Sequence, residues 1–299
     1  MHSELHAYRD YLSLERRLSP ATVKAYLADI EGWIAFLSEA QGVEVGQVNL
    51  RMVELTHVKR WVAWMTRSGM TARSVNRKIS TLRSFGQFLK QIHGETNVMV
   101  QAIPSLKQSK RVVRALDRQE VERLIHPDSF TQDWEGQRDR LMILTFYTLG
   151  LRRAELIAMR HADIDLGSRT VRIIGKRNKE RMLPLIDVWL EAYQKFTSEH
   201  GRRADWVFHD EKGHYLGERY VYSKIRSYLN KASSIETQSP HVLRHTFATH
   251  LLDMGADLSV IRELLGHANL SATQIYTHAS IEQLKRVVQQ SHPRGRSDA

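Results

Sequence analysis

The stretch Ser239-Pro-His-Val-Leu-Arg-His-Thr-Phe-Ala-Thr-His250 leads to a segment closing on Leu264-Leu-Gly-His267-Ala-Asn-Leu and then to Ser271-Ala-Thr-Gln-Ile-Tyr276-Thr-His. Ser239 is a good N-cap and Pro240 a good first helical residue, which places His241 and Arg244 three residues apart on one face of a helix's opening turns. A helix N-terminus attracts anions through its free N–H groups and its dipole, although in isolation the pair reads equally as surface basic residues. Leu258, Ile261, Leu264 and Leu265 recur at a helical period. They predict a second helix that buries all four and stops at Gly266, so that His267 leaves it at an angle set by the cap. Ser271 followed by Gln274 fits a capping box and opens a short helix, on which Ile275 is the core candidate and Tyr276 its neighbour.

What surrounds that stretch is basic. The 299 residues carry a formal net charge of +11, the electrostatic footprint of a protein whose partner holds many phosphates. The surplus is spread along the chain, with 15 Lys and Arg against 9 Asp and Glu in residues 1–110 and 29 against 24 in the remainder. A polyanion touched by both halves accounts for this better than a basic tail does. The absence of cysteine excludes disulfides, thiol nucleophiles and zinc–thiolate sites. Despite 15 histidines there is no His-Glu-x-x-His pattern and no acidic ligand cluster, so no metal is expected. No glycine-rich nucleotide loop is present either, and no cofactor is expected. The first residues lack the pattern of a signal peptide and no stretch approaches the roughly 20 apolar residues of a membrane span; the expectation is a soluble, cytoplasmic protein.

Upstream, residues 1–105 read as a bundle of amphipathic helices. Ser19-Pro20 opens a helix carrying Val23, Tyr26, Leu27, Ile30, Ile34 and Leu37, and Val58, Trp61, Val62 and Met65 mark another. Thr71 caps a helix whose expected stripe is Val75, Ile79, Leu82, Phe85, Leu89 and Ile92. Arg73, Arg77, Lys78 and Arg83 fall largely off that stripe, which makes them either a solvated face or contacts to a polyanion. The pattern lapses around Pro104, so residues 106–114 are the expected linker and residues 115–299 a second domain. There Val121, Leu124 and Ile125 share a helix, a strongly apolar one runs from about Gly136 to Leu149, and Gly150 stops it. Arg152 comes next, at a helix junction beside buried surface, where a guanidinium is costly unless paired or bound to an anion. Thr170-Val-Arg-Ile-Ile174 and Arg181-Met-Leu-Pro-Leu185 alternate as strands around a polar turn. With Ile164-Asp-Leu166 they form a small antiparallel sheet whose hairpin tip carries Lys176. Two further helices cover Val188 to Phe196 and Tyr220 to Leu229.

The ordered array Gly150-Leu-Arg152-x-x-Glu-Leu, Gly175-Lys176-x-Asn-Lys-Glu-Arg, Pro-His241-x-Leu-Arg244-His, Leu-Leu-Gly-His267 and Thr-Gln-Ile-Tyr276 resembles the tyrosine site-specific recombinases of the phage integrase family, most closely their bacterial XerC/XerD type. The resemblance implies a mainly α fold with a small antiparallel sheet: an N-terminal SAM-like core-binding bundle and a C-terminal α+β catalytic domain, clamping duplex DNA. It implies a metal- and ATP-independent enzyme in which Tyr276 forms a 3′-phosphotyrosyl intermediate. Arg152 and Arg244 clamp the phosphate, Lys176 protonates the leaving 5′-oxygen, His241 assists proton transfer and His267 hydrogen-bonds the phosphate. Arg73, Arg77, Lys78, Arg83 and Arg177 are the expected DNA contacts. The family usually has Gly where this chain has Arg177, which bears on the turn holding Lys176; Arg153-Ala154 stands where the family often has Val-Ser. A homo- or hetero-tetramer on two sites is implied, with a second recombinase and a septal DNA translocase as candidate partners and dimer resolution of chromosomes or plasmids as the role. A transposon or phage integrase, a type IB topoisomerase, and a non-catalytic DNA-binding protein on the same fold are the alternatives.

Overall fold

The computed structural model describes residues 2–48, 53–94, 104–107, 114–175, 178–236 and 238–266. The chain divides into two compact units, Met1–Arg111 and Val112–Ala299. Among the described residues the first holds four α-helices: α1 (His2–Asp10), continued by a wider turn over Tyr11–Glu15, α2 (Pro20–Gln41), α3 (Leu55–Arg67) and α4 (Ala72–His93). Their limits follow the local signals. Ser19 Oγ accepts from the Thr22 N–H and Thr71 Oγ1 from the Ser74 N–H, each at 3.3 Å, while Gly42 and Gly94 end α2 and α4 in left-handed conformations.

Trp33, Trp61, Ile30, Val75, Ile79, Leu82 and Phe85 form the centre of this bundle. The stripe on α4 continues to Phe88, which is buried, while Leu89 is only half-buried and Ile92 is 47% exposed. The cause is α1, which the sequence patterning does not reveal: its Tyr8 ring and the adjoining Tyr11 ring each lie 5.2 Å from Phe88 and draw the last turns of α4 toward that side. Asp29 is a polar exception in the α2 core face. Arg77 and Lys78 reach it from α4, Lys78 Nζ at 2.8 Å, and Thr81 Oγ1 donates to it at 3.1 Å.

The second unit is built around α6 (Trp134–Leu149), buried along nearly all its length after its first turn. It packs against α5 (Arg118–Ile125), α8 (Asp187–His200) and α10 (Pro240–Asp253), which cover its apolar second half, Leu141–Leu149. Beside it lie α7 (Arg153–Ile157), α9 (Glu218–Ala232), α11 (Leu258–Leu265) and a three-stranded antiparallel sheet in the order β1 (Ile164–Asp165), β2 (Thr170–Ile174), β3 (Glu180–Pro184). Thr170 pairs with Pro184 and Ile174 with Glu180, and Gly175 N–H donates to the Lys179 carbonyl at 2.7 Å to close the hairpin. Leu116 fixes the start of the unit on α10. Its N–H donates to Thr246 Oγ1 at 3.0 Å and its carbonyl accepts from His250 Nε2 at 2.9 Å, leaving His250 Nδ1 to accept from the Tyr147 hydroxyl at 3.0 Å. No helix among the described residues is long and apolar enough to cross a membrane.

The turn from α6 to α7 has little room. Gly150 has φ 58°, and a Cβ placed there would stand 2.4 Å from Phe247 Cδ1 on α10. Gly150→Ala therefore combines left-handed backbone strain of about 1–2 kcal/mol with overpacking of about 1–3 kcal/mol. The expected result is a lower denaturation midpoint in urea with an unchanged slope; a midpoint equal to the parent's contradicts it.

Candidate active site

Arg152 occupies the N-cap of α7, directly after the Gly150 stop and the buried Leu151. Three residues on, Glu155 turns back: one carboxylate oxygen accepts from the Arg152 backbone N–H at 2.8 Å and the other from its guanidinium at 2.7 Å. The other guanidinium nitrogen of Arg152 donates to the Gly266 carbonyl at 2.9 Å. Arg244 arrives from the second turn of α10. It donates to the Gly150 carbonyl and to the Leu265 carbonyl, each at 2.6 Å. The side chain of Arg152 remains 38% exposed and that of Arg244 13%, so both touch solvent at one edge while backbone carbonyls fix the other. His241, one turn before Arg244 on the same helix, is exposed.

Arg181 on β3 completes the cluster from beneath. Its fork grips both Glu155 oxygens, at 3.0 and 2.8 Å, and its Nε donates to the Leu264 carbonyl at 2.9 Å. Three guanidiniums from three elements thus cap the consecutive carbonyls of Leu264, Leu265 and Gly266 at the end of α11, where a helix has carbonyls without internal partners. Gly266, with φ 65°, permits the approach: a Cβ there would lie 3.1 Å from an Arg181 nitrogen and 3.5 Å from one of Arg152.

The electrostatics favour an added anion. Arg152, Arg181 and Arg244 converge on the single carboxylate of Glu155, Arg244 at 4.0 Å. Burial first, and then the charge of Arg152, pushes Arg244 down to about 10, with Glu155 opposing the shift and Arg181 adding to it. It stays protonated at neutral pH, so the shift records a cation crowded by its neighbours. Burial would raise the Glu155 carboxyl, but the hydrogen bond and charge of Arg181 and the donors of Arg152 outweigh it and hold the group below the usual range. Two fork-shaped donors with one solvent edge each, in a site of surplus positive charge, suit a tetrahedral phosphate or the trigonal plane of its transition state.

The described residues bring Arg152 and Arg244 together and put His241 on the same helix as Arg244. Lys176, Arg177, His267 and Tyr276 lie outside the described residues, although Gly175 and Gly266, which immediately precede Lys176 and His267, lie within them. Of the residues expected to meet DNA, Arg73 is exposed, Arg83 is half-buried, and Arg77 and Lys78 are engaged with Asp29. Leu258, expected in the core, is 49% exposed at the first position of α11, while Ile261, Leu264 and Leu265 are buried. The structural weight of Glu155 and Arg181 is not evident from sequence patterning. Arg181 alternates like an ordinary strand residue, and only its place in the ordered array marks it.

The family model described as phage integrase family matches residues 114–283, and the phage integrase N-terminal SAM-like domain matches residues 5–93. The chain is 34% identical over 301 residues to the tyrosine recombinase XerC of Bacillus pumilus (strain SAFR-032), covering 97% of this chain and 96% of that one. It is 35% identical over 302 residues to the tyrosine recombinase XerD of Listeria monocytogenes serotype 4b (strain F2365), covering 98% and 100%. Among solved structures, the XerH site-specific recombinase bound to palindromic difH substrate, a post-cleavage complex, aligns with a TM-score of 0.69 at 21% identity over 97% of this chain and 84% of that one. A lambda integrase dimer bound to a COC′ core site, comprising its residues 75–356, aligns with a TM-score of 0.69 at 19% identity over 92% and 98%. At these identities the structural likeness is one of fold.

Proposed function

The chain belongs to the phage integrase family of tyrosine recombinases, and we propose that it cuts and rejoins duplex DNA at a specific site through Tyr276. The observation that carries this reading is the meeting of Arg152 and Arg244 at the end of α11, one residue before the segment that contains His267 and Tyr276. The Tyr276 phenol oxygen attacks the scissile phosphorus in line and becomes a 3′-phosphotyrosyl ester, as the 5′-oxygen leaves. His241 receives the phenol proton and Lys176 supplies one to the 5′-oxygen, so the leaving strand ends in a hydroxyl. Arg152, Arg244 and His267 stabilise charge on the non-bridging oxygens. A phenol with an ordinary pKa of about 10 needs such cationic neighbours to react near neutrality. Attack on the ester by a 5′-hydroxyl from another duplex reverses the step with a new partner. One phosphodiester is traded for another, so neither ATP nor a metal is required for balance.

Exchange between two duplexes breaks two strands in each, which calls for one tyrosine per break and hence a tetramer on two sites. Full-length likeness to proteins named XerC and XerD supports a role in resolving chromosome or plasmid dimers in the cytoplasm, with a second recombinase and a septal translocase as partners. Arg73, Arg77, Lys78, Arg83 and Arg177 supply phosphate contacts, with Asp29 fixing the direction of Arg77 and Lys78. The test is to select the bound sequence from random duplexes, then nick it beside the cleavage point so that the 5′-hydroxyl fragment diffuses away. An SDS-resistant protein–DNA adduct is expected; a chain that binds the selected duplex and never forms one overturns the reading.

A further inference from the structure

We propose that Arg181 is a positioning residue for strand cleavage: it takes up the charge of Glu155 and fastens the end of α11, leaving Arg152 and Arg244 to act on the phosphate. This rests on the recombinase reading. Arg181 is buried and all three guanidinium nitrogens are engaged, two on Glu155 and one on the Leu264 carbonyl, so it acts only through its neighbours.

Glu155 would otherwise be a liability. A buried carboxylate beside a phosphate-binding arginine competes with the phosphate for that arginine and repels the incoming charge. Here the two-pronged pairing goes to Arg181, whereas Arg152 gives the carboxylate one guanidinium nitrogen and its backbone N–H. Parallel N–H···O bonds from a planar fork are the strongest pairing a carboxylate can accept. Glu155 therefore orients Arg152 while its charge is matched from below. The third bond of Arg181 holds the same helix end that Arg152 and Arg244 hold, so β3, α7, α10 and α11 share one joint. A lysine at this position has charge but no fork, and a methionine has comparable length and neither.

The experiment compares wild type, R181M and R181K on the nicked duplex at saturating protein. The expected R181M result is a cleavage rate lower by about 10- to 100-fold, the scale of an angstrom-level misplacement in an active site, with DNA affinity within about 2-fold of wild type. R181K recovers part of the loss. A duplex carrying a neutral methylphosphonate at the scissile position separates positioning from mere weakening of the fold. That centre needs less cationic stabilisation, so the R181M defect shrinks on it, while a loss from partial unfolding is the same on both substrates. Full-rate cleavage by R181M, or equal loss on both duplexes, overturns the proposal. If R181M fails to unfold cooperatively, R181K carries the test with the same direction and a smaller loss. If wild type forms no adduct, the recombinase reading fails, and inorganic phosphate becomes the probe: affinity by thermal shift falls about 10-fold in R181M if Arg181 readies the two arginines, and equal affinity overturns it.

Discussion

Tyr276→Phe yields no SDS-resistant adduct on the nicked duplex, a drop in single-turnover cleavage of at least about 1000-fold, while the affinity for that duplex is unchanged. The substitution keeps the ring and removes only the oxygen that becomes the ester, so binding surfaces stay intact and the covalent step is lost. Other tyrosines offer poor substitutes. Tyr8 and Tyr147 are buried, and burial raises both phenols; Tyr228 is pushed up to about 12 by burial and by Asp139. A denaturing gel with labelled duplex reads the outcome, and a mobility shift supplies the affinity. An adduct that persists in Y276F places the nucleophile elsewhere.

Arg244→Lys lowers cleavage by about 100- to 1000-fold, the cost of removing one preorganised donor from a developing oxyanion. Lysine keeps the positive charge but cannot hold the Gly150 and Leu265 carbonyls and a phosphate oxygen together, because its donors radiate from one atom. The loss therefore falls on the rate at saturating protein, with a smaller change in DNA affinity. A melting curve accompanies the measurement, since two carbonyl contacts are disturbed as well. Cleavage by R244K within about 3-fold of wild type would remove Arg244 from the proposed machinery.

Much of this architecture is legible in the residues that punctuate it. Ser19-Pro20, Thr71, Gly150 and Gly266 mark helix limits because capping is local chemistry. Arg152 and Arg244 stand out because a cation at a helix junction or an N-terminus needs a reason. What stays hidden depends on contacts distant in sequence. Nothing around Asp29 forecasts that residues 48 and 49 positions later will neutralise it. Ile92 belongs to a sound periodic pattern yet is exposed, because the packing of Tyr8 and Tyr11 on Phe88 decides which side of the last α4 turns is covered. Arg181 alternates onto the strand face of the buried Leu183, and the partners that make a charge tolerable there, Glu155 and the Leu264 carbonyl, lie 26 and 83 positions away.

The end of α11 gives the molecule a single latch worked by three hands. This eight-residue helix is too short to hold itself together in water, and its closing turn is fixed by arginines that each answer to a different element. Release of that turn would take one hydrogen bond from each guanidinium at the same moment and loosen the meeting of Arg152 with Arg244 before the helices around α6 unfolded, since short elements open at lower free energy than whole cores. Strand cutting would then depend on the local assembly of this joint as well as on the survival of the fold, which suits chemistry that holds a DNA strand open until it is rejoined.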